Sequence, residues 1–203
     1  MKKSIFLVFT LVGIFAYGQQ NSATADRGVE INGVTWATRN VAAPGTFTAK
    51  PEEVGMFYQW NRKVAWPATG RVSNWNNSMP IGTEWEKAND PSPAGWRVPT
   101  TDEIQKLLDS DKVLYEWTAV NGVNGGKFTD KATGNSIFLP AAGLRSSSGG
   151  VLVGDGMCSY YWSSTEYGDD DAAFAYFLYF ENEDVDWSGS DRNMGLTLRP
   201  VAE

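Results

Sequence analysis

The seven residues "FAYFLYF", Phe174 to Phe180, limit the fold more than any other stretch of this chain. In a strand, successive side chains point to opposite faces. Phe174, Tyr176, Leu178 and Phe180 share one face and predict core. Ala175, Phe177, Tyr179 and Glu181 share the other, which is half aromatic and half polar. A strand with rings on both faces is either covered twice or offers its second face to a partner. Two readings follow. Phe177, Tyr179 and Trp187 pack beneath a long loop spanning 67–95, or they form a binding face. The second is supported by what surrounds them. The segment from Tyr160 to Asn193 carries nine acidic side chains among its rings. Rigid rings set among small polar groups are what binding surfaces use. Trp187, between Asp186 and Ser188, would be a costly exposed ring without a partner.

The chain has 203 residues, enough for one domain with a real core. Nine Trp, 21 Gly and 9 Pro favour short strands joined by many loops over long helices. At the N-terminus, Lys2 and Lys3 precede the apolar run Ile5 to Ala16, and "AYGQ" offers small residues for cleavage after Gly18. This pattern predicts a secretory signal over residues 1–18, too short to span a membrane comfortably. No cysteine follows it to carry a lipid, and no second span follows. Residues 19–28 are patternless and polar and read as a linker, leaving 29–203 as a single domain. Removing two lysines with the signal takes the formal charge from −7 to 15 − 24 = −9. That charge, with no basic stripe against it, excludes nucleic acid as a partner.

Along the domain, "VEINGVTWATRNV" alternates around Asn32-Gly33 and predicts a hairpin, with Val29 and Ile31 on one arm and Val34 and Trp36 on the other. Gly55 to Trp66 adds a strand and a loop. Residues 67–95 are rich in Pro, Asn, Ser and Gly, and form a long irregular loop pinned by Trp75 and Trp85. "PTTDEIQKLLDSDK" is a helix capped by Thr100 or Thr101, buried through Ile104, Leu107 and Leu108, and ending near Asp109. Residues 115–143 hold two or three short strands. Short strands at 151–153, in "SYYWSST", at 174–180 and at 195–201 complete the domain, with a polar loop over 181–193. Trp96 reads as a core plug, with Arg97 paired to a nearby acid.

Catalytic parts are missing. With no histidine, neither a serine hydrolase nor a reactive Cys158 has its base. One cysteine forms no internal disulfide and does not supply the thiols of formylglycine generation. A glycosidase needs two carboxylates across a cleft; the acids here sit in loops. No cofactor is expected. Calcium is the one alternative, through the oxygen-rich Asp169-Asp170-Asp171 and Glu181 to Asp186, although neither EF-hand spacing nor a Glu-Pro-Asn triplet is present.

Several words stand in fixed order: "INGVTWATRNV", "GMFYQW", "PAGWRVPTTDEIQKLL", "FLPAAGLRS", "YYWSST", "AYFLYF" and "GLTLRPV". Together, over residues 29–201, they resemble the Fibrobacter succinogenes major paralogous domain family. The resemblance implies an α+β, C-type-lectin-like fold related to that of formylglycine-generating enzymes, with small twisted antiparallel sheets, one or two helices and much ordered loop. The family has no established common activity. Many members carry a cysteine before the Pro-x-Gly-Trp word and another in the closing strand. Here both are absent, so stability rests on packing. The framework words around 166–191 also resemble lectin-like proteins diversified by retroelement-directed adenine mutagenesis.

The sequence thus points to an exported, non-catalytic binding module, secreted, periplasmic or at the cell surface, with a protein or glycan as ligand. Tyr167, Phe177, Tyr179 and Trp187 are the expected anchors. Asp169, Asp171, Asn182, Asp184 and Asp186 are the expected polar contacts. The alternatives are a structural or tip subunit of a bacterial surface assembly and a carbohydrate-active enzyme.

Overall fold

The structure is a computed structural model that describes residues 25–168 and 173–203. Among the described residues, four small antiparallel sheets and one α-helix make up the architecture, a β-rich member of the α+β class. Strands β1 (Val29–Ile31) and β2 (Val34–Trp36) form the expected hairpin, with Ile31 opposite Val34. Asn32 and Gly33 both have positive φ, as its two-residue turn requires. The C-terminal β15 (Val201–Ala202) pairs with β2 and carries β5 (Trp96–Arg97) on its other side. A second sheet has the order β10-β9-β14-β3-β4, from Leu152–Val153, Leu144–Arg145, Gly195–Leu196, Phe57–Gln59 and Ala65–Trp66. A third is the meander β6 (Val113–Val120), β7 (Val123–Asp130) and β8 (Ser136–Pro140).

The fourth sheet is formed by β11 (Cys158–Glu166), β12 (Phe174–Glu181) and β13 (Val185–Asp191), with β12 in the middle. It changes one expectation. Most of the polar loop assigned to 181–193 is strand, and β13 pairs with β12 along its whole length, from Phe180 opposite Val185 to Phe174 opposite Asp191. Asp, Ser and Gly are poor strand formers, but backbone pairing to a rigid neighbour outweighs the roughly 1 kcal/mol range of strand propensity.

Both faces of β12 are packed. Leu178 and Phe180 join Tyr161, Phe128, Leu139, Ile104 and Leu107 in one core cluster. Ala175 and Phe177 join Trp162, Tyr58, Trp60, Trp85 and Leu198 in a second. The sheet therefore lies between two cores, which accounts for rings on alternate residues.

Helix α1 (Thr101–Leu107) begins with a capping box. Thr100 Oγ1 accepts from Glu103 N–H, and Glu103 Oε2 accepts from Thr100 N–H at 2.8 Å. Arg97 meets Glu103 through two hydrogen bonds of 2.6 and 2.8 Å, as expected of an acid-paired arginine. Burial works against the Glu103 carboxylate, but Arg97 and the Thr100 cap outweigh it and hold its pKa below the ordinary 4.5. The stabilisation is therefore complete above pH 4.5 and is lost as pH falls through the lowered value. Glu103→Gln should cost about 1–2 kcal/mol at pH 7, given a partly exposed arginine. Urea midpoints of variant and parent should converge as pH falls below that lowered value; a gap unchanged with pH would contradict this.

The chain is anchored earlier than expected. Residues 19–24 of the expected linker lie outside the described residues, but Asp26 is already tied down. Its carboxylate accepts from Gly28 N–H, from Thr38 N–H and Oγ1–H, and from Arg39 at 3.3 Å. The 67–95 loop is ordered, as its two tryptophans suggested. Trp75 packs on Trp66 at 4.7 Å and Trp85 on Trp60 at 6.0 Å. Three arginines, which composition does not single out, are fully buried, and two of them, Arg145 and Arg192, hold this loop as well. Arg145 donates to the carbonyls of Pro67, Thr69, Gly70 and Gly150. Arg192 donates to Gly82 and Phe174. Arg199 donates to Asn40 Oδ1 and to the carbonyls of Ala37 and Phe138, and burial pushes its pKa down to about 10. Trp96 is half-buried at the rim of a cleft and is not a core plug.

Candidate functional site

The pairing of β12 with β13 sets which side chains meet. Residues directly opposite share a face, so Trp187, Gly189 and Asp191 of β13 lie with Leu178, Tyr176 and Phe174 of β12. Near the hairpin this face is covered by the first core. Farther along the cover thins: Trp187 still packs against that core, Tyr176 and Tyr167 do not, and the three rings sit side by side. Tyr176 and Trp187 have centroids 4.9 Å apart, and Tyr167 lies 4.8 Å from Tyr176. Tyr176 and Trp187 are half-buried, and Tyr167 is 40% exposed. Tyr167 comes from the end of the β11 arm, and its N–H donates to Phe174 O at 3.1 Å.

Gly189 creates the seat for Tyr167. A Cβ on that residue would lie 2.1 Å from Tyr167 Cδ2 and 2.4 Å from Cγ, far inside contact distance. The ring therefore rests on bare backbone. Beneath the arms, Arg192 stacks on Trp60 at 4.2 Å and donates to Phe174 O at 2.9 Å and to Glu166 Oε2 at 3.1 Å. One buried guanidinium thus joins the end of β11 to the start of β12.

The sequence-derived residues divide as follows. Tyr167 and Trp187 belong to the aromatic ladder. Asn182 and Asp184 are exposed in the turn beyond Trp187, and Asp186 is exposed on β13, where its Oδ1 accepts from Trp187 N–H at 2.7 Å. Phe177 is a correction: it is core, 7% exposed, packed with Trp162 and Tyr160 on the opposite face. Tyr179 is on that opposite face too, half-buried against Tyr160 at 5.1 Å. Burial, then the Glu181 carboxylate, pushes its phenol pKa up. The expected binding face and the expected core face are thus exchanged at this end of the sheet. The second core covers Phe177, and the first stops short of Tyr176. Asp169 and Asp171 lie outside the described residues.

Tyr176, Gly189 and Arg192 were missed. Tyr176 has the same parity as Leu178 and Phe180, so alternation alone assigns it to the core. A sequence signal did exist in the glycine within "DWSGSD", because Gly inside a strand marks close approach by another group.

A larger cleft of about 770 Å³ lies elsewhere, between Trp85 and Trp96. Part of its charged rim is engaged internally, with Lys87 paired to Glu203 at 2.9 Å and Arg97 to Glu103 at 2.6 Å. Asp90 there accepts from the N–H groups of Ser92 and Val98. Among the described residues no three His, Cys, Asp or Glu side chains converge to hold a metal. Cys158 is half-buried and burial raises its thiol pKa, which disfavours the reactive thiolate. Among the described residues, no helix is long and apolar enough to cross a membrane.

Comparison of the chain with protein-family models, with curated proteins and with solved structures finds no match.

Proposed function

We propose that this chain is an exported, non-catalytic binding module whose ligand surface is the ladder Tyr167–Tyr176–Trp187 with the acidic turn beside it. The observation that carries the reading is the ladder itself: three partly exposed rings, Tyr167 against Tyr176 and Tyr176 against Trp187, on a sheet rooted between two cores. Rings held this way present large area with little left to order on binding. The resemblance to the Fibrobacter succinogenes major paralogous domain family, and the C-type-lectin-like fold it implies, support the same reading. So does an N-terminal signal that would deliver the chain to the periplasm, the surface or the medium. Under this reading the ligand is a protein or glycan, and 166–191 is the segment that retroelement diversification would vary.

The test is a screen of glycans and surface proteins against the chain from residue 19 onward, with and without calcium. Trp187→Ala/Tyr176→Ala is expected to reduce binding at least tenfold while remaining cooperatively folded. A folded double variant that binds as well as the parent would remove the ladder from the site. The calcium arm separates a metal-dependent ligand contact from one made by rings and carboxylates alone.

A second reading, a structural or tip subunit of a surface assembly, is favoured by the edge strand β10. Val153 on it and the adjacent Val151 and Met157 are 51%, 61% and 73% exposed. Concentration-dependent self-association lost on Val151→Ser/Met157→Ser would favour it.

A further inference from the structure

We infer that the ligand of the aromatic ladder is a basic polypeptide segment, bound extended along β13 with arginine side chains laid across the rings. The inference rests on the binding-module reading above and names its partner's chemistry.

Charge is the first observation. Between Arg145 and Arg192 the chain has ten carboxylates and not one Lys or Arg. The rest of the chain has 24 − 10 = 14 acids against 17 Lys and Arg, a balance of +3. All the net negative charge of the protein is therefore carried by the segment that builds β11, β12, β13 and their connections. The cation that ends this segment, Arg192, is buried beneath the sheet and pairs with Glu166, so it offsets that one carboxylate and leaves the other nine.

Carboxylates also bracket the rings. Asp191 lies on the ladder face at one end, opposite Phe174, and exposed Glu183 and Asp184 stand in the turn beyond Trp187 at the other. Aromatic faces carry negative electrostatic potential and attract cations, guanidinium above all, because its plane stacks on a ring. Nearby carboxylates add to that attraction. A neutral saccharide would leave this charge unused, and an anionic one would be repelled.

The shape of the partner follows from β13. Among the described residues it pairs only with β12, so its outer backbone edge has no strand on it. It carries no Pro and no Lys, the residues that commonly block an edge. An extended segment added there gains main-chain hydrogen bonds while alternate side chains point over the ladder. From Val185 to Asp191 the strand runs about 20 Å at roughly 3.3 Å per residue, enough for two or three alternate side chains.

The test uses three labelled octapeptides of alternating Thr with arginine, lysine or citrulline, the last being a neutral shape mimic of arginine. Fluorescence anisotropy is read at 25 and 300 mM NaCl against the chain from residue 19 onward. The arginine peptide is expected to bind at least tenfold tighter than the citrulline peptide and several-fold tighter than the lysine peptide, weakening with salt. Gly189→Ala is the sharpest variant. It keeps every ring and every charge but unseats Tyr167, and should weaken the arginine peptide about tenfold. Its urea midpoint should stay close to the parent's, since Tyr167 can swing into solvent. Trp187→Ala should do the same to binding.

Equal affinity for arginine and citrulline peptides, or no binding of any of the three, would overturn the inference. Binding that responds to salt but to neither variant would overturn it too, as bulk charge attraction. If a neutral glycan or a non-basic protein from the wider screen binds and is lost in Trp187→Ala, the basic partner is wrong and the binding module stands. If no ligand depends on the ladder, both fall.

Discussion

Trp162→Ala is expected to lower the unfolding free energy by about 3–5 kcal/mol, the range for deleting a fully buried tryptophan. Trp162 has no exposed surface and lies in the second core, on the face of β11 that it shares with Phe177. Its indole N–H donates to Tyr58 O at 2.8 Å and its backbone N–H to Thr197 O at 3.1 Å, so the residue joins the β11–β13 sheet to the β3–β14 sheet. Removing the ring leaves a cavity between two sheets that backbone pairing elsewhere keeps from collapsing. It also takes a donor from the Tyr58 carbonyl, a loss of about 1–3 kcal/mol where no water enters. Trp162→Phe retains much of the packing and should cost less than half as much. Urea unfolding followed by circular dichroism measures both. A cost below about 1 kcal/mol for the alanine variant would show that the second core does not stabilise this sheet. The contrast with Trp187→Ala is informative, because that ring is only half-buried and its loss should appear mainly in binding.

Arg192→Ala should cost about 3 kcal/mol, toward the lower end of the range for breaking a buried ion pair, because Glu166 keeps some contact with water. The side chain is wholly buried and does three things. It stacks on Trp60 at 4.2 Å, fixes Gly82 of the long loop at 2.7 Å, and ties Glu166 to Phe174 across the gap between β11 and β12. Its removal orphans the Gly82 carbonyl, leaves the Phe174 carbonyl with the Tyr167 N–H alone, and uncovers one face of a core tryptophan. Tyr167 is the residue after Glu166, so the same change should loosen the seat of the ladder and weaken ligand binding further than the stability loss alone. Arg192→Lys keeps the charge but neither the flat stack nor the fork of donors. It should recover only part of the stability. Thermal and urea unfolding of the three proteins, with binding measured well below their midpoints, separates the two effects. Full retention of both by Arg192→Ala would mean that the arms hold their geometry without it.

Several elements were legible from local pattern because local rules govern them. The Asn32-Gly33 hairpin follows from the left-handed conformations its turn demands, and both residues adopt them. The α1 helix follows from Thr100 and Glu103 at capping-box spacing and from Ile104 and Leu107 on one face. Arg97 was expected to pair with a nearby acid, and the structure shows that acid to be Glu103, six residues on. β13 was not legible, because "VDWSGSD" has little intrinsic strand preference and becomes a strand by pairing with β12. The buried arginines were not legible either. Their acceptors are mostly backbone carbonyls, as far as 162 residues away in the case of Arg199 and Ala37.

The candidate site divides along the same line. Alternation in "FAYFLYF" determined that this strand has rings on both faces, and composition determined that acids and rings crowd together around it. Which face ends in a core and which ends in solvent is a question of what packs above each face. That depends on Trp85 arriving from the long loop to join the core that holds Phe177, and on the first core ending at Leu178, before it reaches Tyr176. Side-chain parity is a local property of the backbone and can be read along the chain. Coverage is a property of the segments brought against it from far away, and only the tertiary structure decides it.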